Sequence, residues 1–400
     1  MSLKQNFRAD DSFGALSVLA LLLFFPVFAF GATFTNPIGD GADPWVIYWN
    51  GYYYWSSSNG SACWVSKAQK LQDIARVTKI NVWTPPQSTS YSRELWAPEL
   101  HYVQGKWYIY VAADNGQNEN HRMYVLEGTT QNPQDTFVFK AKLNAVTDRW
   151  AIDGTMFERN DGKMYFIWSG WDSTVNIRQN LYIAEMSNPW TISGERVLIS
   201  SPEYPWEQLG GTPSINEGPE VLEHNGDIFI IYSASGSWCD DYCLGQLKFT
   251  GGTILDKNSW TKKSTAVFSK TATVFGPGHC SFVKSPDGTE DWIVYHAAKY
   301  SGAGWNRNIR IQRFTWNSDG TPFFGTPVTE GIALEEPSNI ISGIVRSSPV
   351  KHRADVRQNS VSSIYYTLQG RIISPAGSQN TGAGMHITAG NRYPVIRLHK

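Results

Sequence analysis

The chain has 400 residues, of which 17% are charged and 14% are aromatic, and its formal net charge at pH 7 is −1. Disorder is typical of low hydrophobicity combined with high net charge, so a hydrophobic share of 41% excludes it for most of the chain. The near-neutral balance gives no electrostatic reason to bind nucleic acid or an anionic membrane. The many rings suit a ligand with apolar faces and polar edges, such as a sugar.

The N-terminal segment has the composition of a secretory signal peptide. Basic residues precede an apolar run from Gly14 to Phe30, and small residues follow it. We therefore predict that residues 1–31 are a signal peptide cleaved near Gly31–Ala32, and that the mature protein is secreted, with the periplasm as an alternative location. A membrane anchor is the other interpretation, but the run contains a proline and is shorter than the about 20 residues that span a bilayer.

One pattern recurs five times: a Gly-centred turn, then an aromatic-rich run that ends in small or hydroxyl residues. The turn glycines, between 54 and 64 residues apart, are Gly51, Gly105, Gly162, Gly226 and Gly288. Each turn is typical of a β-hairpin, and the rest of each unit holds two more short strand patterns. Four strands in each of five units predict an all-β, five-bladed β-propeller over residues 32–337. A β-sandwich or two unrelated β domains are the alternatives.

The composition changes after Pro337. We predict that residues 338–362, rich in Ser, Val and Arg, are a linker and that residues 363–400 form a small β tail. The tail resembles the C-terminal sorting modules of some Gram-negative secreted proteins, whose core Tyr-x-Leu-x-Gly-Arg is matched at residues 366–371. A plain linker with a small β appendage is the alternative.

Four cysteines allow three disulfide pairings, and oxidation is expected only in an exported protein. They are Cys63, Cys239, Cys243 and Cys280. Cys239 and Cys243 are close enough in sequence for a local bridge. No cysteine pair or histidine partner has the spacing of a zinc site.

Acidic residues lie near the start of the first strand in three units. Asp43 lies eight residues before its turn glycine, and Asp153 and Glu217 lie nine before theirs. His279 holds this position in the fifth unit, and Trp96 and Ala97 hold it in the second. The first strand of a propeller blade is innermost, so these side chains are predicted to converge on one axial pocket. Clustered buried acids repel one another and cost desolvation energy, which indicates a functional role. Turn or loop positions are the alternative for each acid.

Two carboxylates across a sugar linkage suffice for glycoside hydrolysis, because one protonates the leaving oxygen and the other activates water or attacks carbon. A third acid near the proton donor raises the pKa of that donor by like-charge repulsion. The converging set of Asp43, Asp153 and Glu217 therefore predicts a glycosidase. A propeller that binds carbohydrate without cutting it is the alternative from another class.

Four motifs resemble those of glycoside hydrolase family 43. They are GADPWV, AIDGTMF, NEGPEV and FGPGHCSF, at residues 41–46, 151–157, 216–221 and 275–282. The likeness runs in order through all five units and implies a five-bladed propeller that hydrolyses with inversion. It further implies that Asp43 is the general base, that Glu217 is the general acid, and that Asp153 orients Glu217 and tunes its pKa. Glu220 is the competing acid, but the family motif places the acid before Gly-Pro.

Further residues are predicted to contact the substrate: Arg307, Trp45, Trp96 and His279. Arg307 resembles the family arginine, with Arg310 as its rival, and its planar fork suits hydroxyls and a carboxylate. Trp45 and Trp96 would stack on a sugar ring, with core packing as the alternative.

The histidine of the fourth motif helps to hold a cation or a water in some family members. The resemblance thus implies a structural calcium in the central channel, held by His279 through waters, and no required cofactor. Glu94 and Glu99 are interpreted as loop and strand-end charges, and His121 as a structural residue.

The segment from Glu94 to Glu127 most resembles the α-L-arabinofuranosidase-like members of the family. This resemblance implies release of α-L-arabinofuranosyl residues from plant cell-wall arabinan or arabinoxylan, or from their oligosaccharides. A β-xylosidase or an endo-arabinanase is the alternative within the family. The segment after Ser338 is too short for the extra C-terminal β-sandwich of many β-xylosidases, which favours arabinose.

Overall fold

The computed structural model describes residues 32–339 and the backbone of four short strands between residues 365 and 397. The predicted signal peptide and nearly all of the predicted linker lie outside the described residues. The chain divides into two compact units, Met1–Ile341 and Ser342–Lys400. Within the described residues the helices are single 3₁₀ turns, none of which is long and apolar enough to cross a membrane. They are Leu71–Asp73, Asn118–Asn120, Pro205–Glu207 and Lys257–Ser259.

The first unit begins with two short strands, which are followed by five antiparallel sheets, the blades. The short strands are β1 (Thr33–Thr35) and β2 (Gly39–Asp40). Blade 1 consists of β3 (Trp45–Trp49), β4 (Tyr52–Ser58), β5 (Cys63–Ala68) and β6 (Lys79–Trp83). Blade 2 consists of β7 (Arg93–Val103), β8 (Lys106–Asp114), β9 (Arg122–Gly128) and β10 (Phe137–Leu143).

The remaining blades follow the same up-and-down order. Blade 3 consists of β11 (Ala151–Glu158), β12 (Met164–Trp171) and β13 (Arg178–Asn188), with β14 (Thr191–Ile192) and β15 (Val197–Ser200) both paired to β13. Blade 4 consists of β16 (Ser214–His224), β17 (Asp227–Ala234), β18 (Cys243–Phe249) and β19 (Trp260–Lys262). Blade 5 consists of β20 (Phe275–Lys284), β21 (Asp291–Ala298), β22 (Arg307–Trp316) and β23 (Pro322–Phe323), and β24 (Ala333–Glu335) follows it.

Each blade packs face to face on the next through buried apolar side chains. Five buried clusters lie between successive blades, and the cluster between blade 5 and blade 1 contains Val46, Trp55 and Trp292. The inner strands β3, β7, β11, β16 and β20 are neighbours in this order, and β20 also contacts β3. The Val46 N–H donates to Ser281 Oγ at 3.1 Å across that last junction. The prediction of a five-bladed β-propeller is therefore confirmed, and the aromatic strands of the repeat provide its blade-to-blade packing.

The N-terminal segment is built into the last blade. Strand β2 pairs with β22 as the outer strand of blade 5, and β1 pairs with β24. Between β1 and β2, the buried side chain of Asn36 takes the place of a strand partner for Ile311. Its Nδ2 donates to Ile311 O at 2.8 Å, and the Ile311 N–H donates to Asn36 Oδ1 at 3.0 Å. One side-chain amide therefore satisfies both backbone groups of a buried residue.

The turns between the first two strands differ in length from blade to blade. Blades 1, 2 and 4 use two-residue turns with both residues in the left-handed region, as at Asn225–Gly226. This is the type I′ geometry that matches strand twist. Blades 3 and 5 use the longer loops 159–163 and 285–290. The same inner-strand position therefore lies one residue closer to the turn glycine in blades 1, 2 and 4 than in blades 3 and 5.

The second unit is described by its backbone strands alone. Strand β25 (Tyr365–Tyr366) pairs with β26 (Ile372–Ile373), and β27 (His386–Thr388) pairs with β28 (Val395–Arg397). These short antiparallel pairs agree with the predicted β tail. Most of the predicted sorting motif at residues 366–371 lies outside the described residues.

All four cysteines lie in the described part of the chain and are unpaired, so the local bridge considered for Cys239 and Cys243 is not formed. Cys63, Cys243 and Cys280 are buried, and burial raises the pKa of each of these three thiols.

Replacing Asn36 by Ala is expected to destabilise the propeller, because it leaves the buried N–H and C=O of Ile311 without partners. Each orphaned group costs about 1–3 kcal/mol. Thermal or urea unfolding measures the loss. The exposed Asn317→Ala is the matched control and should change stability little. An Asn36→Ala variant as stable as the wild type would contradict this account of the N-terminal segment.

Candidate active site

The backbone has the same unusual feature near the start of every inner strand. At the matching position of each blade the residue is in the left-handed conformation, with φ between 42° and 52°: Asp43, Ala97, Asp153, Gly218 and His279. In blades 2 to 5 it is the first residue of a β-bulge, where two residues oppose one on the next strand. Bulges redirect side chains, and a left-handed non-glycine residue costs about 1–3 kcal/mol. Such strain is typical of functional sites.

Glu217 differs from the other acids in this register. The left-handed position of blade 4 is Gly218, so the predicted equivalence of Glu217 with Asp43 and Asp153 is off by one residue. The cause is the two-residue turn of blade 4, which places the matching inner-strand position one residue closer to the turn glycine Gly226 than in blade 3. A Cβ at Gly218 would lie 3.1 Å from the His279 ring, so a side chain there would crowd that ring, whereas the left-handed φ alone does not require glycine.

A single cavity at the axis collects most of the predicted residues. Its volume is ≈ 660 Å³, within the range of small-molecule sites. Six predicted residues line it: Asp43, Trp96, Asp153, Glu217, His279 and Arg307. Side chains of all five blades contribute to its wall. The predicted convergence of distant acids on one pocket is thus observed in the geometry.

Asp43 lies among cationic and imidazole groups. Its Oδ1 is 3.2 Å from His279 Nδ1, 3.2 Å from His296 Nδ1 and 3.4 Å from Arg307 Nη1. Burial acts to raise the pKa of Asp43, but the two histidines and the Arg307 guanidinium outweigh it and hold that pKa well below its usual range. The rival arginine, Arg310, is buried away from the cavity and contacts Asn308.

The pKa values of Glu217 and Asp153 are shifted in the opposite direction, upward. Burial, with a smaller contribution from the Asp43 charge, raises the pKa of Glu217 to about 7, although the Tyr242 hydroxyl donates to its Oε1 at 2.8 Å. Burial and the neighbouring charges of Glu217 and Asp43 raise the pKa of Asp153 well above its usual value. The pocket therefore contains one strongly acidic carboxyl and two carboxyls that retain protons more readily.

His279 contacts the acids directly. Its Nδ1 is 3.2 Å from Asp43 and 3.9 Å from Asp153 Oδ2, and burial lowers its pKa. In the described part of the chain, no three or more His, Cys, Asp or Glu side chains are grouped to hold a metal ion. A calcium ion beside His279 would therefore take most of its oxygen ligands from water, and the calcium site stays a prediction.

Trp96 forms one wall of the cavity and is supported from behind. Its ring stacks on His121 with centroids 3.9 Å apart, and its Nε1 donates to Glu94 Oε2 at 3.3 Å. His121 is fully buried and its Nδ1 lies 3.2 Å from Asp114 Oδ2. His121 is thus structural, as interpreted from the sequence, and it fixes the ring that faces the cavity.

Trp45 does not line the cavity, which corrects its prediction as a stacking residue. Its Nε1 donates to His101 Nε2 at 2.8 Å, and its ring packs edge-on against His101. His101 in turn contacts Glu99 Oε2 at 2.8 Å, and Glu99 is hydrogen-bonded to Glu220. Glu99 is buried and not a strand-end charge. Burial raises the pKa of Glu99 to about 8 and raises that of Glu220 well above its usual value.

Several residues that contact the acids or line the cavity were not predicted. Tyr242 and His296 contact the acids from blades 4 and 5, and nothing in their sequence context marks them. Trp238 and Trp305 lie in the loops after the second strands of the same blades and line the cavity mouth. A signal for these two was present, because each tryptophan follows a Ser-Gly pair beyond the strand.

The fold and the cavity together define a class: a five-bladed propeller with buried carboxyls of contrasting acidity in an axial pocket, as glycoside hydrolysis requires. The sequence model of Glycosyl hydrolases family 43 matches residues 34–322. The chain belongs to that family, which confirms the resemblance found in the motifs.

Relatives with assigned activities are similar over most of the propeller. An extracellular exo-alpha-(1->5)-L-arabinofuranosidase of Streptomyces avermitilis is 38% identical over 75% of this chain and 65% of its own length. Alpha-L-arabinofuranosidase 43 of Humicola insolens is 36% identical over 72% of this chain and 62% of its own. The matches thus span less than two thirds of these two relatives. The crystal structure of alpha-L-arabinofuranosidase from Lactobacillus brevis superposes with a TM-score of 0.70 at 36% identity, covering 75% of this chain and 98% of that one.

Removing the Tyr242 hydroxyl is expected to raise the pKa of Glu217 above about 7, because the hydroxyl donates to the carboxylate and stabilises its charge. Carbon-13 NMR titration of the glutamate carboxyls in Tyr242→Phe measures the shift. Tyr232→Phe is the matched control, since this buried tyrosine of the same blade donates to Glu207 outside the cavity. An unchanged or lower Glu217 pKa in Tyr242→Phe would contradict the assignment.

Proposed function

We propose that the protein is an inverting glycosidase that releases terminal α-L-arabinofuranosyl residues from plant cell-wall arabinan, arabinoxylan or their oligosaccharides. The observation that carries the proposal is the contrast between Asp43 and Glu217 in one cavity. The pKa of Asp43 is held low, whereas that of Glu217 is raised to about 7. One carboxyl is therefore ionised and the other retains a proton near neutral pH, which is the pairing that glycoside hydrolysis needs.

In this mechanism Asp43 is the general base. Its carboxylate takes a proton from a water molecule as the water oxygen attacks the anomeric carbon. Glu217 is the general acid and gives its proton to the leaving glycosidic oxygen as the bond to the anomeric carbon breaks. Attack from the face opposite the leaving group inverts the anomeric centre and requires the two carboxyls to be about 6.5–9.5 Å apart.

Asp153 and Arg307 are assigned supporting roles. The pKa values of Asp153 and Glu217 are both raised, so the two acids hold at least one proton between them near neutral pH. Tuning of the Glu217 pKa by Asp153 is the role that the family resemblance implies. Arg307 reaches Asp43 and also donates to Ser237 O at 2.7 Å, so its fork is fixed beside the cavity for substrate hydroxyls.

Two considerations favour removal of a terminal arabinose. A cavity walled by all five blades suits the end of a sugar chain better than its middle, which weighs against an endo-arabinanase. Four relatives, each 32–38% identical to this chain, are named as arabinofuranosidases, two of them as extracellular exo-acting enzymes. Those names, with the apolar N-terminal leader, support export of this chain.

The test is hydrolysis of linear arabinan, arabinoxylan, nitrophenyl α-L-arabinofuranoside and nitrophenyl β-D-xyloside, with proton NMR of the first-formed anomer. The proposal expects free arabinose of inverted configuration. Preference for the xyloside would indicate a β-xylosidase, and internal cleavage of arabinan an endo-arabinanase. Absence of turnover on every glycan would leave the carbohydrate-binding propeller as the correct class.

Glu217→Gln is expected to lower kcat/KM on arabinobiose by about 10²–10⁴-fold, because the amide cannot protonate the leaving oxygen. The loss should be much smaller on an aryl arabinofuranoside whose phenolate leaves without protonation. Glu220→Gln is the matched control, since Glu220 does not line the cavity and an amide resembles its protonated form. A dead Glu220→Gln beside a near-normal Glu217→Gln would reverse the assignment of the acid.

The pH dependence of kcat/KM on arabinobiose follows from the same two groups. Activity requires protonated Glu217, so it should fall as the pH rises through about 7. It also requires ionised Asp43, whose depressed pKa keeps the acid side flat to below the usual carboxyl range. The alkaline fall should vanish for the aryl substrate that needs no proton. An alkaline limb of equal size on both substrates would assign it to another group.

A further inference from the structure

We propose that Trp305 and Trp238 form a binding platform for the second sugar of the substrate, the unit that leaves with the glycosidic oxygen. Trp305 is the more exposed of the two rings, with 69% of its surface accessible, and both rings line the cavity. The inference rests on the proposed function and extends it, since it names the residues that recognise the part of the chain that remains after cleavage.

The exposed ring of Trp305 is held in place. Its Nε1 donates to Ser237 Oγ at 3.1 Å, so its edge is fixed while its face is open. Trp238 is fixed in the same way, because its Nε1 donates to Gly210 O at 3.0 Å. The two rings meet edge to face, with centroids 6.4 Å apart and planes at 86°. An exposed but ordered indole keeps little conformational entropy to lose when a ligand stacks on it.

The loops that carry the two rings are joined into one block. Asp240, two residues beyond Trp238, accepts hydrogen bonds from Ser301 Oγ and, at 2.8 Å, from the Gly302 N–H. These bonds tie the blade 4 loop to the blade 5 loop that ends in Trp305. Four contacts, two made by Asp240 and two by Trp305, therefore join the two loops. Folding alone does not explain why so much local structure supports a ring left in solvent.

The position of the platform determines which sugar it contacts. Asp153, Glu217 and His279 are buried at the cavity floor, where the terminal sugar must lie for cleavage. Trp305 lines the same cavity and its ring is exposed, so it lies at the mouth. A sugar chain whose end reaches the floor passes the mouth with its next unit. The apolar C–H face of that pentose suits an indole face, and its hydroxyls remain in water.

The test measures binding of L-arabinose and arabinotriose to the Glu217→Gln protein, whose slow hydrolysis leaves time to observe binding, by isothermal titration calorimetry. Adding Trp305→Ala is expected to weaken arabinotriose binding about tenfold, the effect of one well-placed ring contact. Binding of arabinose, which reaches only the floor, should be unchanged. Trp305→Tyr should restore most of the arabinotriose affinity, because it replaces one ring by another.

Tyr300→Ala is the matched control, because Tyr300 is 59% exposed on the same loop but does not line the cavity. It should leave both affinities unchanged. Unchanged arabinotriose affinity in the Trp305→Ala protein would overturn the platform, and so would equal losses for both ligands. Failure of the proposed function is distinguishable from these outcomes, because the wild type would then hydrolyse no arabinose-containing glycan at all, and the platform would be withdrawn with it.

Discussion

The structure depends on one packing constraint: each aromatic sheet buries its faces only by lying against the next blade. Five sheets that share faces in this way form a ring, and their inner strands meet along the axis. Residues far apart in sequence, such as Asp43 and Glu217, are brought to one cavity by this geometry. The low share of charge follows from it as well, because blade faces have no room for unpaired ions.

The axial position also sets the chemistry. A carboxyl at the narrow end of five packed sheets loses most of its water, and burial raises its pKa unless a cation compensates. Arg307 supplies that cation to Asp43, whereas Glu217 receives mainly a hydroxyl from Tyr242. The pKa of the Asp43 carboxyl is thus lowered and that of the Glu217 carboxyl is raised within one cavity. The left-handed bulge residues add strain that the surrounding packing must absorb.

Features that recur in every blade could be predicted from the sequence, whereas features particular to one blade could not. Similar spacing of the turn glycines indicated five blades, and acids on inner strands indicated the cavity. The exact register of Glu217 depended on a turn length that spacing does not reveal. Trp45 was assigned to the cavity because it is close in sequence to Asp43, yet its side chain contacts His101 instead. His296 lies on a second strand, where the repeat does not predict a histidine, and Tyr242 lies in a loop outside the repeated run.

The floor and the mouth of the cavity are held by different forces. Floor residues are positioned by inner strands, whose bulges are fixed by blade packing, so the acids cannot move without disturbing the ring. Trp238 and Trp305 lie on loops that the packing does not constrain, and these loops need their own bonds through Ser237 and Asp240. Loop changes at the mouth can therefore alter which sugar chain is accepted while the acids stay in place. In this architecture the reaction is set by the fold, and the choice of substrate is set by the loops around it.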